Sequence, residues 1–157
     1  MARLYGRSAV GARCLAKVPH GHWHTATLIA ALRHDRLSAP WLLDGPMDGA
    51  SFLTYVERVL GPELQPGDLV ICDNLSSHKV AGVAEAIAAR QALLQYLPAY
   101  SPDLNPIEMA FAKLKAALRQ AAARDWTALV QATAHALQSF SASHCRNFFR
   151  HAQYATN

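Results

Sequence analysis

The chain of 157 residues has no apolar run approaching the roughly 18 residues needed to cross a membrane. Its N-terminus is arginine-rich and has no long apolar stretch behind the charges, which excludes a secretory signal. Cysteine is scarce: Cys14, Cys72 and Cys145 form an odd, scattered set without CxxC spacing. That pattern argues against a disulfide framework and fits a reducing cytoplasm. No GxSxG elbow supports a hydrolase triad, so Ser76, Ser77 and His78 together are a weak signal for one. There is no internal repeat, and no low-complexity tract beyond richness in alanine. Acidic residues are nearly missing from the first 36 positions. There Arg3, Arg7, Arg13, Lys17, Arg33 and Arg36 face only Asp35. A basic arm on a roughly neutral body suits a polyanion such as DNA, although a solvated terminus has the same composition.

What is present is a core. Hydrophobic residues make up 52% of the chain, and its length is that of one domain. Residues 22–32 alternate at first, with Trp23, Thr25 and Thr27 favouring a strand. His34-Asp35-Arg36 reads as a turn into a second strand over Leu37–Leu43, where Pro40 implies an edge or a bulge. Asp48 is placed to cap a helix running to Leu60, with Phe52, Tyr55, Val56 and Val59 on one face. Leu69–Cys72 is a short apolar run of the kind found in buried parallel strands. A helix is expected over Lys79–Arg90, with Val80, Val83, Ala84 and Ile87 inward, then a strand over Leu93–Leu97. Asn105-Pro106-Ile107-Glu108 reads as a helix start with Asn105 as cap, Pro106 first and Glu108 closing a capping box. That helix should reach Ala121 or Ala122, followed by helices over Trp126–Phe140 and Ala142–Tyr154. Trp126, Phe140, Phe148 and Phe149 would form their core. The order predicts a mixed α/β domain with a partly parallel sheet.

Two carboxylates stand out in this layout. Asp73 ends a strand at the sheet edge where ligands bind in open α/β folds. Glu108 lies in the first turn of a helix, on a stripe with Ala112, Lys115 and Arg119, so it can point at that edge while the two cations continue along the helix. Hard oxygen ligands of this kind suit magnesium or manganese and phosphodiester chemistry. Either residue alone reads as ordinary structure: Asp73-Asn74 as an Asx turn, Glu108 as a complement to the helix dipole. His20, His22 and His24 share one strand face. Three imidazoles could bind zinc, but a polar strand face is the simpler reading. Cys72 should face away from Asp73, into the core.

The string Val-Ile-Cys-Asp73-Asn74, then His78, then Leu-Pro-Ala-Tyr-Ser-Pro-Asp-Leu-Asn-Pro-Ile-Glu108, resembles the DDE domain of insertion-sequence transposases of the mariner-like superfamily. Lys-Val-Pro-His-Gly-His-Trp, Asp44-Gly45-Pro46 and the Ala-Lys-Leu-Lys after Glu108 extend the resemblance over most of the chain. It implies a ribonuclease-H-like mixed sheet flanked by helices, a Mg2+ or Mn2+ cofactor, and DNA strand cleavage and joining within a homo-oligomeric synaptic complex. No membrane or small-molecule substrate is implied. By position, Asp73 matches the second catalytic acid and Glu108 the third. Asn74 and His78 would support them. Lys115, Arg119, Arg3, Arg7, Arg13 and Lys17 would meet DNA. The family's first Asp ends a strand just before a segment resembling Arg3–Gly11. The resemblance therefore implies that residues 1–157 lack that strand and the DNA-recognition helices. Asp35 and Asp44 are poor substitutes for the first Asp: one sits in a hairpin turn, the other at a non-catalytic position. A remnant that binds DNA or a full-length transposase without cutting is the alternative.

Overall fold

The computed structural model describes residues 6–15 and 24–154. Arg3, Lys17, His20, His22 and Trp23 lie outside them. Strands β1 (Ala26–Leu32) and β2 (Leu37–Asp44) form the expected antiparallel hairpin. Its register slips between Ile29 and Ala31, and Ala39, just before Pro40, takes a positive φ of 49°. The bulge expected from Pro40 is there, because proline supplies no N–H to the ladder.

Helix α1 (Gly49–Tyr55) starts where Asp48 accepts a hydrogen bond from Ser51 N at 2.8 Å. It widens into a π-type turn over Val56–Leu60 and tightens into a 3-10 turn over Gly61–Glu63. Phe52, Tyr55, Val56 and Leu60 are buried along its inner face. Strand β3 (Leu69–Cys72) pairs in parallel with β4 (Leu93–Tyr96), residue for residue from Leu69↔Leu93 to Cys72↔Tyr96. Between them, α2 covers only Val83–Ala88, shorter than the expected Lys79–Arg90. Gly82 has a φ of +95°, which a helix cannot contain, so the helix begins after it. Gln91, at φ 58°, stops the chain on the other side. Ala84, expected inward, is exposed; Val83 and Ile87 carry the packing.

Helix α3 (Ile107–Ala121) ends at the left-handed Ala122 as expected, but its start differs. Pro106 is the cap residue, no side chain caps the helix, and Glu108 N reaches the backbone oxygen of Asn105 at 3.2 Å. The capping box does not form, because the 3-10 turn over Pro102–Leu104 already sets the entry angle. Helices α4 (Trp126–Gln138) and α5 (Ala142–His151) follow, capped by Asp125 and Ser141. Trp126 is 42% exposed rather than core, since it opens α4 at the first position after the cap.

One core joins Ile29 and Ala39 of the hairpin to Phe52, Val56, Val83 and Ile87. Ala110, Leu114, Ala136, Cys145 and Phe148 are buried among the three C-terminal helices. The mixed α/β class is as expected. Among the described residues, though, the strands make two separate two-stranded ladders rather than one hydrogen-bonded sheet. The expectation that β3 is buried also needs correcting: Leu69 is 56% exposed and the rest of the strand half-buried. No described helix is long and apolar enough to cross a membrane.

Candidate active site

Between the two ladders lies a cleft of about 360 Å³. Asp73, His78, Asn105 and Glu108 line it together with β1 and β3. The fold therefore brings the two carboxylates singled out by sequence, 35 positions apart, to one cavity. Asp73 arrives there because parallel pairing carries β3 to the same level as β4, where Leu97 N donates to Cys72 O at 2.8 Å. Its carboxylate then accepts from Leu75 N at 3.2 Å, the Asx turn read from the sequence.

His78 is the second neighbour. Its Nδ1 lies 2.5 Å from Asp73 Oδ1, off the line of an aligned hydrogen bond, so the contact is one of proximity. The imidazole packs at a tilt of 32° against the buried ring of Phe52, with centroids 4.1 Å apart. Its backbone oxygen accepts from Tyr96 Oη at 2.9 Å. Two elements, α1 through Phe52 and β4 through Tyr96, thus hold the residue beside Asp73. Sequence reading ranked His78 as supporting but had no means of seeing Phe52 or Tyr96 behind it.

Glu108 is exposed on the first turn of α3, where a negative charge complements the helix dipole. The loop before it is tied down from far along the chain: Tyr154 Oη donates to Leu104 O at 3.0 Å. Ala112, Lys115 and Arg119 are exposed on the same helix, as the predicted stripe requires. Lys113, two positions away, is occupied differently. Its ammonium donates to Ser139 O at 2.7 Å, sits 3.0 Å from His144 Nδ1 and lies over the Phe140 ring. Arg7 and Arg13 are exposed.

The carboxylates at this end of the cleft are hard oxygens; Asn74, beside Asp73, has its Oδ1 buried without a hydrogen-bond partner but does not line the cleft. Such a set fits a magnesium- or manganese-class ion. The nearby sulfur does not compete, because burial pushes the Cys72 thiol up to about 12 and keeps it protonated. Among the described residues no three His, Cys, Asp or Glu side chains cluster tightly enough to hold a metal alone. Asp35 is ion-paired to Arg36 at 3.0 Å in the hairpin turn, and Asp44 ends β2; neither lines the cleft. The other acids in the lining, Glu63 and Asp68, belong to its far end, where Arg33 bonds both Asp68 and the Glu63 backbone.

A strand ending in one carboxylate and a helix beginning with another thus meet at one cleft of a mixed α/β domain. The chain belongs to the DDE superfamily endonuclease family, whose sequence profile matches residues 1–130. Its fold, ribonuclease-H-like, is that of Mos1 transposase. It is similar to a pre-cleavage Mos1 transpososome at a TM-score of 0.74 and 14% identity. It is likewise similar to a Mos1 paired-end complex with the left transposon end, at 0.72 and 14%, and to a Mos1 mariner paired-end complex with Mn, at 0.67 and 15%. Each likeness covers 96% of this chain and 47% of the other, so the chain spans about half the length of those proteins. No curated protein matches it.

Proposed function

We propose that this chain supplies the catalytic core of a transposase that cleaves and joins DNA strands at the ends of an insertion sequence. The observation that carries the reading is the convergence of Asp73 and Glu108 on one cleft in a chain of this family. Asp73 and Glu108 would hold Mg2+ or Mn2+. The bound ions would lower the pKa of a water for attack and stabilise the leaving oxygen. The chain's own groups do the rest. The Asx turn and His78 fix the Asp73 carboxylate, and the tether from Tyr154 steadies the loop ahead of Glu108. Lys115 and Arg119 lie along the helix where a phosphate backbone can follow, and Arg3, Arg7, Arg13 and Lys17 would add to the attraction. Oligomeric pairing of element ends belongs to the same proposal, as it does in the paired-end Mos1 complexes.

The test is metal-dependent nicking of supercoiled DNA. Asp73→Asn and Glu108→Gln should each abolish nicking and leave DNA binding intact. Undiminished nicking in both variants would overturn the assignment. A second reading is favoured by the cleft's active end carrying two carboxylates rather than three. In that reading the chain binds DNA, or a longer transposase, and does not cut. Wild-type protein that binds DNA but never nicks it with Mg2+ or Mn2+ would establish that second reading.

A further inference from the structure

Tyr100 is the most open aromatic residue among those described. Its relative exposure is 102%, whereas Trp126, the next most open, is at 42%. It is also the one aromatic among the described residues with a positive φ, 57°. A bulky side chain rarely takes that conformation, and where it does the backbone is strained. No burial of the ring offsets the strain. The turn that carries it is nonetheless stiff. Pro98 and Pro102 fix φ on either side. Ser101 Oγ donates to Ala99 O at 3.3 Å, Leu104 N to Ser101 O at 3.2 Å and Asn105 N to Pro102 O at 2.9 Å. A braced turn thus presents an aromatic ring to solvent.

The turn lies beside the carboxylate site. Leu97 N bonds Cys72 O, so the chain leaves β4 for Tyr100 at the same end of the ladder where it leaves β3 for Asp73. Lys79 stands at that end too. It follows His78, whose ring meets Asp73, and its exposed Nζ lies 5.5 Å from the ring centroid of Tyr96, the last residue of β4. Tyr96 and Tyr100 are four residues apart. Four residues span at most about 14 Å, the rise of about four stacked nucleotides. A stiffly held open ring with a cation close by matches an unpaired nucleotide, whose base has a face to stack and whose phosphate meets the cation. Bases inside a duplex already stack on one another and have no such face free.

We infer that Tyr100 and Lys79 form a seat for an unpaired stretch of a DNA strand, with one base stacked on the Tyr100 ring and a nearby phosphate at Lys79. The inference rests on the reading of the chain as a DNA-processing domain. It adds the state of the DNA gripped beside Asp73: one strand, locally unpaired. It also gives the strain at Tyr100 a use, since a relaxed turn would not need to hold a bulky ring outward.

The test uses the full 157-residue chain in EDTA, without metal, and three fluorescent sixteen-nucleotide probes. They are a single strand of mixed sequence, the same strand with every base replaced by an abasic site, and the blunt duplex. Affinity is read by anisotropy. The wild-type chain should bind the strand with bases at least fivefold more tightly than the abasic one. Tyr100→Ala should bring the two single strands within twofold of each other, and Tyr100→Trp should restore the preference. Duplex binding should change less than twofold in Tyr100→Ala. Lys79→Gln should weaken both single strands alike and reduce the salt slope by about 0.7. Tyr100→Gly relieves the strain, so it should weaken strand binding as Ala does without lowering the denaturation midpoint. No detectable single-strand binding, an unchanged base preference in Tyr100→Ala, equal losses on all three probes, or a lowered midpoint in Tyr100→Gly would overturn the seat. Base-dependent binding through Tyr100 in a chain that never nicks would sink strand cleavage and leave the seat standing. Nicking without Tyr100-dependent strand binding would do the reverse.

Discussion

His78 and Asp68 show two ways in which one residue is fixed by others. Asp68 is bonded through both oxygens to Arg33, and one oxygen also accepts from Gln65 N. Chiefly through the Arg33 hydrogen bond, its carboxyl is held below the usual carboxylate range. A depressed folded-state pKa gives stability that is present above the unfolded value and lost as pH falls through the folded one. Asp68→Asn should therefore lower stability at pH 7 by about 1 kcal/mol, a figure kept small by partial exposure. The difference from wild type should shrink below about pH 4, which chemical denaturation at several pH values would reveal. His78→Ala removes the ring between Phe52 and Asp73. We expect nicking to fall by about 10- to 100-fold with metal affinity, while His78→Asn, which keeps a polar group near the carboxylate, should recover part of it. Lys115 and Lys113 show what sequence cannot separate: both are lysines on α3, yet one is exposed and the other is docked on Ser139 and Phe140. Replacing Lys115 or Arg119 by Gln should reduce the slope of DNA affinity against salt by about one phosphate contact each.

At the scale of elements, Gly82 decides where α2 begins. Its φ of +95° disfavours any side chain, and a Cβ there would approach Leu53 to 3.2 Å. Gly82→Ala should cost about 1–2 kcal/mol and show as a lower denaturation midpoint with an unchanged slope. Ile87→Ala, in the same short helix, should cost about 2–5 kcal/mol because the side chain is buried. Most elements were legible in the sequence: the hairpin with its Pro40 bulge, β3 to the residue, β4, the cap at Asp48 and the C-terminal end of α3. Each rests on a local signal such as alternation, a capping side chain or a breaker. The misreadings arose where the deciding contact is not local. The alanine-rich stretch after Lys79 has helical propensity throughout, and one glycine in a left-handed conformation cuts it to six residues. Asn105 has the chemistry of a cap, but the preceding turn set by Ser101 and Pro102 takes the backbone past it. The burial of β3 was overestimated because an apolar run does not say whether its edge has a neighbour.

For the whole molecule, the site was half legible. Asp73 and Glu108 could be named because each sits at a recognisable junction, strand to turn and loop to helix. Their shared cleft, and the braces at Phe52, Tyr96 and Tyr154, come from contacts between distant parts of the chain. The DNA partner and the metal were suggested by charge, ligand chemistry and the family resemblance, and both belong to the proposed function. The two ladders also bear on solution behaviour. Unpaired edges invite association, so light scattering of the isolated chain should show mass rising with concentration, and a strictly monomeric profile would count against open edges.

The bond from Tyr154 to Leu104 joins positions 50 residues apart. During synthesis, the loop that presents Glu108 leaves the ribosome well before its tether does. Chains acquire structure progressively from the first-made end, yet here Tyr154, just beyond α5, steadies the entry to an acidic site made earlier. A growing polypeptide still attached to its message is thus expected to have the strands and Asp73 in place while Glu108 is loosely held.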